Sequence, residues 1–204
     1  MKLVTLEKSA SLLLQGNVGI VPTDTMYGVV ASALNKEAVE HLYAIRKRVA
    51  VKPCIILIPS ILNIHQFGIH PDAHTIHMLE AWWPGKVSVV LPCSSKQYEY
   101  LHRGTWSLAF RIPDSTPLRE LLKRTGPIVA PSANIEGQSP ARTIEEAYAY
   151  FGNSVDFYVD ARELPITPST LVSIKNKKVT LLRQGAVTIS AQLLIPMAIF
   201  FFPW

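Results

Sequence analysis

The feature that most constrains the fold is the alternation of short, strongly apolar runs with stretches of helical periodicity. The clearest run covers residues 54–58, where a cysteine, three isoleucines and a leucine stand between Pro53 and Pro59. Prolines on both sides of a β-branched run are typical of a short buried strand. Residues 36–46, by contrast, carry apolar side chains three and four positions apart, which indicates a helix with one buried face.

The same two patterns recur along the chain. The predicted strands cover residues 19–21, 27–33, 54–58, 87–91, 107–112, 128–130, 155–159, 170–174 and 179–182. The predicted helices cover residues 7–15, 36–46, 71–83, 116–123 and 143–151. Thr143 and Glu146 have the spacing of a capping box at the start of the last helix. Because strands and helices do not alternate strictly, we expect an α/β domain with one mixed parallel and antiparallel sheet.

Composition places the chain among compact globular proteins. Of its 204 residues, 49% are apolar and only 17% are charged, the reverse of a disordered chain. The formal net charge of +5 suits an anionic partner, but a solvated basic surface would give the same balance. Cys54 and Cys93 have no metal-binding or disulfide spacing, and the N-terminus has no secretory h-region. We therefore expect a cytoplasmic protein.

The last residues differ from the rest. We interpret residues 1–188 as one domain and residues 189–204 as an apolar C-terminal appendage. The stretch from Leu193 to Trp204 is shorter than the ~20 residues that span a bilayer, and two prolines interrupt it. We expect it to pack on the domain or on a partner chain, without stable membrane association.

Polar clusters follow several predicted strands, where α/β sheets commonly present groups to ligands. Residues 22–28, PTDTMYG, offer two hydroxyls and a carboxylate at a strand end. Residues 46–52 hold four cations, which suit either a phosphate clamp or the dipole at a helix end. Arg111 lies in an apolar strand and should face a carboxylate or a cleft. A ligand carboxylate or a structural Asp would satisfy it. Residues 131–140 form a loop of small polar residues.

In their order along the chain, these clusters resemble the threonylcarbamoyl-AMP synthase family, the YrdC-like proteins. The ordered segments are PTDTMYG, RKR with KP, WPGKVSVVLP, FRIPD, PSANIEG, PST and LRQGA. The resemblance covers roughly residues 16–186. It implies the YrdC-like fold, a twisted mixed sheet flanked by helices with an open, positively charged cleft, in the single-domain form of the family.

The resemblance also implies a reaction. The substrates are L-threonine, bicarbonate and ATP, the products are threonylcarbamoyl-AMP and pyrophosphate, and Mg²⁺ carries part of the phosphate charge. A threonylcarbamoyl-transferase complex would then pass the group to an adenosine of tRNA. Adenylyl transfer requires alignment and charge neutralisation more than covalent catalysis, so no nucleophile–base pair is expected. No residue is expected to bind a metal.

Each candidate site residue receives a role from the resemblance. The expected catalytic residues are Arg46, Arg48, Ser132 and Asn134. The expected ATP contacts are Arg48, Lys52, Ser107, Ser132, Ser139 and Arg183. The expected threonine contacts are Thr23, Thr25, Arg111 and Ser169. The chain departs from the family pattern at Arg46, where a lysine is usual, and at Lys86, where a second proline is usual.

Two other functions stay open at this point. One is a non-catalytic module of the same fold that binds tRNA or double-stranded RNA. The other is a carbamoyl-adenylate former like those in hydrogenase maturation, although the zinc-finger cysteines of those larger proteins are absent from this sequence. His70, His74 and His77 have the spacing of one helical face, which could bind zinc but is more typical of a solvated surface.

Overall fold

The computed structural model describes residues 1–49 and 51–189 of the chain. The strands are β1 Gly19–Pro22, β2 Tyr27–Ser32, β3 Ile55–Leu57, β4 Val87–Pro92, β5 Ser107–Arg111, β6 Ile128–Val129, β7 Phe157–Tyr158, β8 Thr170–Lys175 and β9 Lys178–Arg183. The α-helices are α1 Leu6–Leu14, α2 Lys36–Ile45, α3 Ala73–Trp82, α4 Glu99–His102, α5 Thr116–Thr125 and α6 Ile144–Phe151.

The described strands form one mixed sheet in the order β7-β1-β2-β6-β3-β5-β4-β8-β9. The pairs β1–β7, β3–β5 and β4–β8 are parallel. The remaining neighbours are antiparallel. The predicted α/β class with a mixed sheet is therefore confirmed, and so are all of the predicted strands, with bounds shifted by one or two residues at most of their ends.

Helices cover one face of the sheet and only part of the other. Leu42 of α2, Leu79 of α3 and Phe151 of α6 pack in the larger core against the first face. Leu13 of α1 and Leu122 of α5 pack in a second core on the opposite face. Side chains alternate between the faces of a strand. The part of the second face beyond α1 and α5 is therefore left to form the floor of a cleft.

Side-chain caps determine where most of the helices begin. The side chains of Thr5, Asn35, Asp72, Ser115 and Thr143 each accept a hydrogen bond from the backbone N–H three residues later. Such caps satisfy N–H groups that have no partner inside the helix. The predicted Thr143 cap is confirmed, but the Glu146 carboxylate accepts from the N–H of Arg142 rather than from that of Thr143.

Some expectations needed correction. The 3-10 helix Ile61–Phe67 and the four-residue α4 are too short to give a clear period, and the sequence patterns missed both. His70 lies before α3, because Asp72 caps that helix, so the three histidines do not share one helical face. Among the described residues, no group of three His, Cys, Asp or Glu side chains could hold a metal ion.

None of the described helices has the length and hydropathy needed to cross a bilayer.

Ile189, the first residue of the predicted appendage, is buried in the larger core. Residues 190–204 lie outside the described residues, so the appendage stays a prediction.

The packing beneath α2 predicts a large effect of truncating its central leucine. Leu42 is fully buried, so Leu42→Ala should lower the free energy of unfolding by about 2–5 kcal/mol, because it removes apolar contacts and leaves a cavity. Leu62 is 73% exposed, and Leu62→Ala should change the same quantity by less than ~0.5 kcal/mol. Urea denaturation of the two variants measures the difference. Equal losses would contradict the packing described here.

Candidate active site

A cleft of about 400 Å³ lies on the open part of the second face. Its walls come from the β1–β2 turn, the start of β3, the loop after β6 and the segment that leads into β8. Seven predicted site residues line it: Thr23, Thr25, Arg48, Arg111, Ser132, Ser169 and Arg183. Residues that lie far apart in the sequence thus meet at one place.

The β1–β2 turn is held by its own hydroxyls. Thr23 Oγ1 accepts from the N–H groups of Thr25 and Met26, both at 3.2 Å, and donates to the carbonyl of Met26 at 2.7 Å. The two threonine hydroxyls lie 3.0 Å apart. Thr23 therefore fixes the turn, and this places the Thr25 hydroxyl in the cleft.

Tyr27, in the same motif, connects this turn to the segment that crosses towards β8. Its hydroxyl donates to the carbonyl of Arg162 at 2.8 Å and accepts from the N–H of Ala161 at 2.8 Å. Burial raises the pKa of Tyr27 to about 12, so the hydroxyl stays protonated and can donate. The sequence indicated the motif but not this connection.

Arg111 and Asp24 form a buried ion pair across the cleft wall. Arg111 Nη1 lies 2.6 Å from Asp24 Oδ1, and the two side chains are only 5% and 3% exposed. The second oxygen of Asp24 accepts from the N–H of Asp114 at 3.0 Å. Burial lowers the pKa of Arg111, and the Asp24 charge opposes that shift. Of the two partners that the sequence left open for Arg111, the structure provides the Asp.

Arg46 and Asn134 lie behind the cleft wall rather than in it. Arg46, 2% exposed, donates from Nε to the carbonyl of Asn134 and from Nη2 to its Oδ1, both at 3.1 Å. Asn134 donates in turn to the carbonyls of Ile135 and Gln138. Ser132, which does line the cleft, donates to Asn134 Oδ1 at 2.6 Å. Two of the four residues expected to be catalytic, Arg46 and Asn134, therefore support Ser132 from behind the cleft wall.

The cations that follow α2 already bond to other groups of the protein. Arg48 donates to the carbonyls of Lys52 and Pro53 at 3.1 and 2.8 Å. The Lys52 carbonyl also accepts from the Tyr43 hydroxyl at 2.7 Å. Lys52 does not line the cleft, and its Nζ lies 2.7 Å from Glu136. Neither Tyr43 nor Glu136 was singled out by the sequence.

A pair of serines closes the β8 side of the cleft. The buried hydroxyls of Ser88 and Ser169 are 2.8 Å apart, and Arg183 Nη2 donates to the Ser169 carbonyl at 3.0 Å. The pKa of Arg183 is lowered by burial and then by the charges of Arg111 and Arg48. Three guanidinium groups thus lie close enough to repel one another. The sequence analysis did not single out Ser88, although a serine within the otherwise apolar strand 87–91 was a signal for it.

Besides Lys52, two more of the predicted ATP contacts do not line the cleft. Ser107 begins β5, four residues before Arg111 and so roughly 13 Å away along the strand, although on the same face. Its hydroxyl is bonded to Thr105. Ser139 is exposed, and its carbonyl accepts from the Tyr150 hydroxyl. Lys86 does not line the cleft either.

Comparison with known proteins places this chain in a family. The family model Sua5_yciO_yrdC, described as telomere recombination, matches residues 11–185. The chain belongs to this family. The Sua5/YciO/YrdC match contains every residue that lines the cleft and every predicted site residue.

Named relatives cover most of the chain. It is 30% identical over 185 residues to the threonylcarbamoyl-AMP synthase of Bacillus subtilis strain 168, which is 89% of this chain and 53% of that protein. It is 31% identical over 182 residues to the threonylcarbamoyl-AMP synthase of Pseudoalteromonas translucida strain TAC 125, covering 86% and 96%. The chain therefore spans about half of the first relative and nearly all of the second.

A solved structure of this Sua5/YciO/YrdC family shares the fold. The crystal structure of P. abyssi Sua5 complexed with L-threonine matches with a TM-score of 0.81 and 27% identity, over 88% of this chain and 54% of that one. The sheet and cleft described above thus belong to a fold in which a relative was solved with L-threonine.

The buried ion pair at the cleft wall predicts a strong dependence on Asp24. Asp24→Asn leaves the buried Arg111 charge without its carboxylate, so it should lower the free energy of unfolding by about 3–5 kcal/mol. Glu163→Gln removes the carboxylate of an ion pair with Arg142 whose side chains are more than half exposed, and should cost at most ~1 kcal/mol. Chemical denaturation measures both. A loss for Asp24→Asn no greater than that for Glu163→Gln would contradict the assignment.

Proposed function

We propose that the chain makes threonylcarbamoyl-AMP and pyrophosphate from L-threonine, bicarbonate and ATP. The observation that carries the proposal is the convergence of three arginines and several hydroxyls in one cleft of about 400 Å³. The named relatives and the L-threonine complex of P. abyssi Sua5 support the identity of the substrates.

We assign the threonine to the end of the cleft near Thr25, Ser169 and Arg111. Hydroxyls of buried side chains can recognise a substrate hydroxyl, because leaving them without a partner is costly. Arg111 lines the cleft, and its buried Nε has no hydrogen-bond partner among the described residues. We assign the threonine carboxylate to this guanidinium. Asp24 neutralises the single charge of this guanidinium and holds its plane.

We assign the phosphates of ATP to Arg48, Arg183 and Ser132. The charges of Arg48 and Arg111 disfavour the protonated form of Arg183. An entering polyphosphate relieves this repulsion and adds charge-assisted hydrogen bonds. Asp24 neutralises one of the three cleft arginines. That the cleft as a whole is positively charged is therefore part of the proposal.

The chemistry proceeds in two steps. The threonine amine attacks the carbon of carbon dioxide, supplied by bicarbonate, and loses a proton to give a carbamate. A carbamate oxygen then attacks the α-phosphorus, the bond from that phosphorus to the bridging oxygen breaks, and pyrophosphate leaves with the electron pair. The protein contributes alignment and fixed positive charge rather than a covalent intermediate. Downstream, a transferase complex would move the threonylcarbamoyl group to tRNA in the cytoplasm.

The donor set does not fit a magnesium ion held by the protein. The described residues contain no cluster of three metal-ligating side chains, and Asp24 and Glu136 near the cleft are already bonded to cations. Magnesium that accompanies ATP would be bound by phosphate oxygens and water. No step of the proposed reaction depends on a protein ligand to it.

The direct test is pyrophosphate release by the purified chain. Release should require ATP, L-threonine and bicarbonate together, because the carbamate is the nucleophile. Release that does not depend on threonine would contradict the proposal. Tight binding of tRNA in a gel-shift titration, with no ATP chemistry, would instead support the RNA-binding alternative.

Substitution of Arg48 tests the phosphate assignment. Arg48→Ala should lower kcat/KM for ATP by about 10- to 100-fold, because a hydrogen bond to a charged group contributes roughly 1.5–3 kcal/mol. Arg124 is exposed in the last turn of α5, so Arg124→Ala removes the same charge far from the cleft and should leave kcat/KM nearly unchanged. Steady-state pyrophosphate release compares the two variants. Equal losses of kcat/KM in the two variants would mean that only the overall charge of the protein affects ATP use, and would contradict the phosphate assignment.

A further inference from the structure

The carboxylate of Glu136 contacts Lys52 and Arg48, and the proposed function assigns Arg48 to the phosphates of ATP. Its Oε1 accepts from Lys52 Nζ at 2.7 Å, and its Oε2 accepts from the N–H of Val49 at 3.2 Å and lies 3.8 Å from Arg48 Nη1. One side chain from the loop after β6 thus holds three groups of the turn that follows α2. We call residues 46–49 and 51–53 the cationic turn.

Contacts other than this carboxylate also hold the backbone of the cationic turn. The Lys52 carbonyl accepts hydrogen bonds from Tyr43 Oη and from Arg48 Nε, and Arg48 Nη2 donates to the Pro53 carbonyl. These contacts fix the turn from the α2 side. Loss of the Glu136 charge should therefore free the Lys52 ammonium group without unfolding the turn.

Glu136 itself is held in place from behind. Its backbone N–H donates to the Arg46 carbonyl at 3.0 Å, and the Asn134 side chain bonds to the carbonyls of Ile135 and Gln138 on either side of it. The side chain is 21% exposed. The carboxylate is therefore presented from a fixed frame at a place that solvent still reaches.

The charge state of Glu136 suits an exchange with phosphate. Burial alone raises the pKa of Glu136, but the hydrogen bonds from Lys52 and Val49 and the charges of Arg48 and Lys52 lower it overall. The group is therefore an anion at neutral pH. A partly exposed ion pair contributes little to stability, whereas a polyphosphate brings several charges and more acceptor oxygens.

We propose that, in the absence of nucleotide, the Glu136 carboxylate forms ion pairs with Lys52 and Arg48 of the cationic turn, and that the phosphates of ATP displace it. Glu136 then weakens ATP binding in a manner specific to phosphate. This inference rests on the proposed function, because that function places the phosphates at Arg48, which shares the Glu136 carboxylate with Lys52.

The test is isothermal titration of the full chain with inorganic pyrophosphate and, separately, with adenosine. Glu136→Gln should lower the Kd for pyrophosphate by about three- to five-fold, the worth of one exposed ion pair, and leave the Kd for adenosine unchanged. The double variant Glu136→Gln with Lys52→Gln should lose the gain, because the freed ammonium group is gone. Thermal melting of each variant establishes that it is folded.

Glu120→Gln is the matched control. Glu120 also lies 2.7 Å from a lysine, Lys123, but on the exposed side of α5, so this variant makes the same change in net charge. An equal gain in Glu120→Gln, or unchanged or weaker pyrophosphate binding in Glu136→Gln, would overturn the inference. A gain confined to Glu136→Gln in a chain that releases no pyrophosphate from ATP would support this inference and refute the proposed function.

Discussion

The cleft depends on the buried guanidinium of Arg46. It bonds to the backbone and side-chain oxygens of Asn134, and so joins the end of α2 to the loop after β6. Burial, together with the charge of Arg48, lowers the pKa of Arg46 to about 10, which still leaves it protonated at neutral pH. Because Asn134 also accepts from Ser132, the position of a cleft hydroxyl follows from this one buried cation.

Charge balance is the second principle of the site. Asp24 neutralises Arg111 at one wall of the cleft, and Glu136 bonds to Lys52 outside the cleft, next to Arg48. Arg183 has no carboxylate partner among the described residues and is surrounded by other cations. Such an arrangement orients the donors before a ligand arrives, so little reorganisation is needed when phosphate binds. The cost of gathering like charges is offset by two carboxylates at the edges.

Much of the fold could be predicted because its signals are local. The prolines around residues 54–58 and the Thr143 cap mark element ends directly in the sequence. The pairing of Arg111 with Asp24 could not be chosen, since it joins residues 87 positions apart through the order of the strands. For Ser107, the strand and its face could be predicted from the sequence. Its distance from the cleft could not, because that depends on where along β5 the cleft opens.

We propose that threonine, bicarbonate and ATP are joined in this cleft, and identification of the product is the most direct test. The chain is incubated with ATP, L-threonine and ¹³C-bicarbonate, and the adenylates are resolved by mass spectrometry. We expect an adenylate that contains threonine and a single ¹³C carbon, formed together with pyrophosphate. Formation only of AMP or ADP, or of a threonine adenylate without the label, would contradict it.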